Sequence, residues 1–187
     1  MKRLLIIFSV VLIASFSFNC NKTNSSSKSG NKQQTQPKPT AYVNNDYNFQ
    51  VNFLGKPNVQ VSKVNTSLGQ AEVITFADVQ NNLTYLVSVT VYPEQFANQV
   101  NASESVKTQV EETAKGMKLT QVRVEENNIS GKPSYYYEGQ GDNVYAIMQA
   151  IAYQNKVYIV AALAEGPDAK QLATTDGVKF IKSFKLF

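Results

Sequence analysis

The side chains that perform most enzyme chemistry are scarce in this chain of 187 residues. It contains no histidine and one cysteine, Cys20. Histidine is the commonest general base and a cysteine thiolate is a strong nucleophile, so Ser-His and Cys-His arrangements are excluded once Cys20 is assigned another role. No Ser-x-x-Lys spacing occurs in residues 41–187. We therefore expect a protein that is not an enzyme and that needs no metal ion or cofactor.

Two acidic pairs and a glycine-rich segment are the other candidates for chemistry. Glu111-Glu112 and Glu125-Glu126 cannot converge on a substrate, because adjacent side chains point to opposite faces of a strand and diverge by about 100° on a helix. The segment 139–142 lacks the third glycine and the strand-to-helix context of a phosphate-binding loop. Glu138, Asp142 and Asn143 supply too few oxygens for calcium. A hairpin turn is the better interpretation.

The run Tyr135-Tyr136-Tyr137 is the strongest candidate for binding. On a strand, Tyr135 and Tyr137 share one face and Tyr136 takes the other. Tyrosines on a sheet face can contact a sugar or a protein, and strand propensity with core filling explains the same run. The sequence therefore leaves two alternatives for Tyr135 and Tyr137, core filling and a binding patch.

The only cysteine follows a hydrophobic leader. Lys2 and Arg3 precede an apolar run from Leu4 to Phe18, and Asn19-Cys20 comes next. A charged start followed by about 15 apolar residues is typical of a secretory signal and is short for a bilayer span. No Ala-x-Ala-like cleavage site follows the run. A free thiol would be anomalous in an oxidising compartment, and acylation of the cysteine removes that anomaly.

The residues Ser17-Phe18-Asn19-Cys20 resemble the relaxed lipobox of spirochaete lipoproteins. The resemblance implies a lipoprotein signal peptide over residues 1–19 and a lipid-modified Cys20 that holds the chain on a bilayer, because two or more acyl chains anchor a protein stably. Asn21 stands where Asp often retains lipoproteins in the inner membrane, which favours the outer membrane. A secreted protein cut elsewhere and an uncleaved N-terminal anchor are the alternatives.

The segment after the cysteine differs in composition from the rest of the chain. Residues 21–40 contain no aromatic and no large apolar residue, so they cannot offset the entropy of ordering, and residues 20–40 are predicted to form a disordered linker. The formal net charge of +4 also comes from the N-terminal part. Residues 41–187 hold 12 basic and 14 acidic side chains, a net charge of −2. Nucleic-acid binding is therefore not expected.

Residues 41–187 are predicted to form one domain in which strands predominate. The alternation of apolar and polar residues over 47–53 indicates a half-buried strand. Further strands are predicted at 59–66, 71–78, 83–92, 119–126, 134–138, 143–153 and 156–165. The short connections between many of them imply antiparallel neighbours. The last two strands are apolar on both faces, which predicts that they lie at the centre of the sheet.

Two helices are predicted to flank this sheet. An apolar stripe formed by Val106, Val110, Ala114 and Met117 indicates an amphipathic helix, with Glu111 and Lys115 as an ion pair on its exposed side. A terminal helix starts at Pro167-Asp168, and Gly177 is a weak point in it. The predicted fold class is α+β, an antiparallel sheet of about six to eight strands with flanking helices.

Four segments of the domain resemble a known family. They are Phe53-Leu54-Gly55-Lys56-Pro57, residues 82–93 (NLTYLVSVTVYP), residues 129–138 (ISGKPSYYYE) and residues 180–186 (FIKSFKL). Their order is similar to that in PsbP/DcrB-like lipoproteins and periplasmic proteins. The resemblance implies an antiparallel sheet flanked by helices and carries over no catalytic residue.

These observations together predict a membrane-anchored lipoprotein. Its domain is expected to act as a non-catalytic binding or accessory module of the cell envelope, with a protein or another envelope component as partner. One alternative is a small-ligand carrier with a pocket between sheet and helix. Another is a host-facing adhesin.

Overall fold

The structure is a computed structural model that describes residues 39–66, 69–80, 82–97 and 102–187. The predicted signal peptide (1–19), Cys20 and nearly all of the predicted linker (20–40) lie outside these residues. The lipid anchor and the disordered linker therefore stay predictions. The described residues agree with the predicted fold class, since antiparallel sheets with flanking helices make up the domain.

The main sheet consists of seven described strands, each antiparallel to its neighbours. In spatial order they are β3 (Asn58–Thr66), β4 (Gly69–Gln80), β5 (Leu83–Val91), β9 (Lys156–Glu165), β8 (Val144–Tyr153), β7 (Lys132–Gln140) and β6 (Thr120–Ile129). The strand β9 is at the centre with β8 beside it, and most residues of both are buried. The prediction made from their two apolar faces is confirmed.

A small second sheet packs on one face of the main sheet. It consists of β1 (Thr40–Asn44), β2 (Phe49–Phe53) and β10 (Lys185–Leu186), with β2 in the middle. The predicted strand over 47–53 is shorter in the structure, because Tyr47 and Asn48 belong to the turn between β1 and β2, where Asn48 has a φ of 53°. The strands β1 and β10 were not predicted, and β1 begins at Thr40, a residue assigned to the linker from composition.

Two hydrophobic clusters lie on opposite faces of the main sheet. On the α3 face, named after the last helix, β2 and the C-terminal helices cover a cluster that includes Phe49, Phe76, Tyr158 and Phe180. On the α1 face, the first helix covers a cluster that includes Val110. The strands β8 and β9 contribute to both clusters. Burial on both faces therefore fixes their position at the centre of the sheet.

The helix α1 (Ala102–Gly116) lies against β7 and β8, after a short 3-10 turn at Glu94–Phe96. Its predicted stripe is confirmed for Val106, Val110 and Ala114, which are buried, whereas Met117 lies beyond the helix end and is only half-buried. The predicted ion pair is wrong. Glu111 accepts a hydrogen bond from the Tyr135 hydroxyl instead of pairing with Lys115. A carboxylate at the edge of the helix can reach a side chain on the sheet as easily as it can reach a side chain one turn further along the helix.

The C-terminal helix begins as predicted but does not end at Gly177. It runs through α2 (Ala169–Leu172), a π-helical turn at Ala173–Gly177 and α3 (Val178–Ser183). Gly177 keeps a helical backbone, with φ −61° and ψ −43°. A Cβ atom added at Gly177 would lie 2.7 Å from the Cβ of Ala162 on β9. The missing side chain therefore lets the helix approach the sheet closely, which outweighs the low helix propensity of glycine.

Alanine substitutions at two glycines should change stability in opposite directions. Nothing lies within 4 Å of a Cβ added at Gly116, the last residue of α1. Gly116→Ala should raise the free energy of unfolding by about 0.4–1 kcal/mol, because alanine restricts the unfolded chain. Gly177→Ala should lower it by about 1–3 kcal/mol through overpacking against Ala162.

Chemical denaturation of the chain from residue 21 onward, followed by circular dichroism, measures both effects. Each variant is the control for the other. Equal losses of stability would contradict the assignment of close packing to Gly177 alone.

Candidate functional site

A groove with a volume of about 370 Å³ opens on the α1 face, where α1 ends beside β6 and β7. Its wall combines charged, polar and apolar groups. The lining residues are Glu111, Ala114, Lys115, Lys118, Leu119, Gln121 and Tyr137. The groove lies between helix and sheet, so the end of the helix and the adjacent strands determine its shape.

The backbone that closes α1 forms one end of the groove. Lys118 has a left-handed backbone, with a φ of 54°. Its amide donates to the carbonyl of Lys115 at 3.0 Å, and the amide of Leu119 donates to the carbonyl of Ala114 at 2.9 Å. This is the Schellman pattern, in which an apolar residue after the helix packs back on its last turn. Glycine usually occupies the left-handed position, and Lys118 brings a charge to the groove instead.

Tyr137 lies beneath this helix end. Its side chain is buried, and its ring lies across Gly139, two residues further along β7. A Cβ atom added at Gly139 would be 3.1 Å from the Tyr137 hydroxyl and 3.0 Å from the Cβ of Leu119. The hydroxyl therefore reaches the part of the groove beside Leu119. It makes no hydrogen bond with any described residue, and burial raises the pKa of Tyr137 above its ordinary value, with Glu111 adding to the effect.

The other predicted member of the tyrosine patch has a partner. The Tyr135 hydroxyl donates to Oε1 of Glu111 at 3.2 Å. Burial, followed by the charge of Glu111, raises the pKa of Tyr135 to about 12. Tyr135 and Tyr137 are each only 3% exposed and pack beneath α1, so they form no surface patch. Both rings therefore fill the core. Because the Tyr135 hydroxyl is bonded to Glu111, only the Tyr137 hydroxyl could bind a ligand.

On the α3 face, a buried carboxylate and its polar neighbours form a cluster that the sequence did not predict. Glu138 accepts hydrogen bonds from the hydroxyls of Tyr136 at 2.8 Å and Tyr145 at 2.7 Å, one on each carboxylate oxygen. Arg123 approaches the same carboxylate, with 3.5 Å between Nη1 and Oε1. Both oxygens are thus satisfied inside the protein, which makes the cluster structural. The sequence did contain one signal for this cluster. Tyr136 and Glu138 are two residues apart on one strand, which places both side chains on the same face.

The remaining acidic residues behave as separate groups. Glu125 pairs with Arg123 and Glu126 pairs with Lys107, so this acidic pair points in two directions as predicted. The Gly141 amide donates to the carbonyl of Val144 at 2.9 Å and closes the predicted hairpin turn. Within the described ranges, no three Asp, Glu or Cys side chains are grouped closely enough to hold a metal ion.

Comparison with solved structures reveals a shared fold. The solution structure of cyanobacterial PsbP (CyanoP) from Synechocystis matches 85% of this chain and 98% of its own, with a TM-score of 0.55 and 11% sequence identity. This domain has a PsbP-like fold. A protein of unknown function from Pseudomonas aeruginosa (PA94) matches 75% of this chain and 94% of its own at 12% identity, and its TM-score is 0.34.

Sequence comparisons add no closer relative. No protein-family model matches the chain, and no curated protein sequence matches it significantly. At 11% identity, the likeness to CyanoP establishes the fold and leaves the function open. Among the helices of the described residues, none is both long and apolar enough to span a membrane.

The Glu138 cluster predicts the effect of removing one hydroxyl. Tyr145→Phe should lower the free energy of unfolding by about 1–3 kcal/mol, because one oxygen of a buried carboxylate loses its donor. Tyr153→Phe is the matched control, since no described group is bonded to its hydroxyl, and it should change stability by less than about 0.5 kcal/mol. Chemical denaturation at pH 7 measures both. Similar values for the two variants would contradict a stabilising role for the bond from Tyr145 to Glu138.

The buried tyrosines predict loss of stability at alkaline pH. Burial is the largest cause that raises the pKa of Tyr85, Tyr92, Tyr135 and Tyr145 from 10.0 to about 12. The folded state therefore keeps these protons more tightly than the unfolded state does. The free energy of unfolding should be unaffected by these groups below about pH 10 and should fall between about pH 10 and 12. Denaturation curves across this range, with tyrosinate absorbance followed in parallel, test the prediction. Ionisation of all tyrosines near pH 10 without unfolding would contradict it.

Proposed function

We propose that the protein is a lipoprotein held on a membrane through acylated Cys20, and that its PsbP-like domain is a non-catalytic binding or accessory module of the cell envelope. The observation that carries the anchor is the position of Cys20, directly after a charged and apolar leader. The cysteine is also the only one in the chain, so no disulfide partner competes for it.

The environment of the described polar groups supports binding without turnover. Glu138 is engaged by Tyr136 and Tyr145, and Glu111 by Tyr135. The buried amide of Gln109 donates to the Tyr92 hydroxyl at 2.7 Å. In the part of the chain that the structure describes, the carboxylates near the core thus serve neighbouring hydroxyls. The groove contains no serine, threonine or cysteine that could act as a nucleophile.

The linker determines how the domain would be presented. A disordered linker over residues 20–40, as their composition predicts, would have a root-mean-square reach of about 22–27 Å. Such a linker would lead into β1, the outer strand of the small sheet. The tether would leave the main sheet and the groove free to meet a partner protein or envelope component. Asn21 after the cysteine favours the outer membrane over the inner one.

A second candidate function is a small-ligand carrier. The groove between α1 and the sheet favours it, because its wall includes the unpaired Tyr137 hydroxyl and the apolar side chains of Ala114 and Leu119. A carrier would use the same anchor and the same fold. The two candidates differ in whether a small molecule or a macromolecule is recovered with the domain.

Substitution of Cys20 tests the anchor. Cys20→Ser should abolish both cleavage of the leader and incorporation of labelled fatty acid, because the acyl chains need the thiol. Asn19→Ala keeps the cysteine and is the matched control, which should be processed and labelled. Mass spectrometry of the mature N-terminus is the measurement. An unmodified thiol at Cys20, or a mature first residue other than Cys20, would contradict the proposal.

A further inference from the structure

The mouth of the groove carries two ammonium groups without an anionic partner. Lys115 and Lys118 line it, and neither takes part in any ion pair of the described residues, which involve Lys107, Arg123 and Lys179. The only acidic residue in the wall is Glu111, and its carboxylate accepts the hydrogen bond from Tyr135. The wall therefore has an excess positive charge, although the domain as a whole is slightly acidic.

The floor of the groove adds a hydroxyl group that can donate a hydrogen bond. Tyr137 is 3% exposed, its hydroxyl has no partner among the described residues, and it reaches the groove beside Leu119. A phenol that keeps its proton at neutral pH donates well to an anion. The hydroxyl is not enclosed by protein, since among the described residues the fully buried side-chain nitrogen or oxygen that lacks a hydrogen bond is Nε2 of Gln149. A ligand acceptor in the groove can therefore reach the Tyr137 hydroxyl.

The rest of the wall is apolar. Ala114 and Leu119 come from the end of α1, and the ring of Tyr137 lies across Gly139. Gly139 matters here, because any larger residue would collide with this ring. The wall thus offers a positive mouth, one hydroxyl donor and a short apolar surface. This combination suits an anion with a hydrocarbon body better than inorganic phosphate, which would leave the apolar surface uncovered.

We infer that the groove binds a small organic anion, a monocarboxylate with a short apolar body. Its carboxylate accepts a hydrogen bond from the Tyr137 hydroxyl and lies within the field of Lys115 and Lys118. Its apolar body packs on Leu119 and the Tyr137 ring. The inference develops the carrier form of the proposed function and does not depend on the lipid anchor, so either can fail alone.

Octanoate is a suitable probe. Equilibrium dialysis of radiolabelled octanoate is performed with the full chain in phosphatidylcholine nanodiscs, and binding to empty nanodiscs is subtracted. Octylammonium has the same hydrocarbon body with the opposite charge and is the ligand control. We expect saturable binding of octanoate that weakens as salt is raised from about 0.05 to 0.5 M, because the lysines are exposed to solvent. Octylammonium should not bind.

Variants assign the site to the groove. Tyr137→Phe should weaken octanoate binding about 10-fold, since a charge-assisted hydrogen bond is lost. Tyr153→Phe removes a hydroxyl outside the groove and should not change binding. The double variant Lys115→Gln and Lys118→Gln should weaken binding several-fold and remove most of the salt dependence. Lys182→Gln with Lys185→Gln is the matched control, because these two lysines lie outside the groove and make no described ion pair.

Three outcomes would overturn the inference. Equal binding of octanoate and octylammonium would show that charge plays no part. Unchanged octanoate affinity in Tyr137→Phe, with circular dichroism showing a folded domain, would place binding elsewhere. Absence of saturable octanoate binding to the unsubstituted protein would reject the ligand class, and it would leave the labelling result at Cys20 unaffected.

Discussion

Burial of β8 and β9 on both faces is the constraint on which the rest of this structure depends. Apart from Gln149, their buried side chains are apolar in both directions, so each face of the sheet centre needs its own cover. The helix α1 supplies one cover, while the small sheet and the C-terminal helices supply the other. The α1 face carries several small side chains, which let a helix approach the sheet closely; they include Ala150, Ala152 and Ala161.

The same requirement explains why the terminal helix tolerates a glycine in its interior. Ala162 on the α3 face would collide with any side chain at Gly177, so the helix gains contact with the sheet at the expense of intrinsic propensity. The π-helical turn that ends at Gly177 is part of this adjustment. Packing in the tertiary structure thus overrides a local preference that, taken alone, would predict a weakened helix.

Polar side chains become frequent where the helices and the small sheet no longer cover the main sheet. At the edge of the sheet, β6 is exposed along nearly its whole length and its side chains are mostly polar. Glu138 lies at this boundary and needs the hydroxyls of Tyr136 and Tyr145 to satisfy its buried oxygens. On the opposite face, α1 stops beside the same strands, and its final turn leaves the groove between Lys118 and Tyr137. The structural carboxylate cluster and the candidate ligand site are therefore products of the same transition from core to edge.

The amino-acid sequence by itself determined the elements that have strong local periodicity. These are the β8–β9 hairpin, the buried stripe of α1, most strands of the main sheet and the opposite orientation of Tyr136 relative to its neighbours. It did not determine β1 and β10, because strands of five and two residues carry too little pattern and are stabilised by partners distant in the chain. Only the tertiary structure decided which tyrosine hydroxyls have partners. Alternation assigns a side chain to a face, whereas its exposure and hydrogen bonds depend on where a separate helix ends above it.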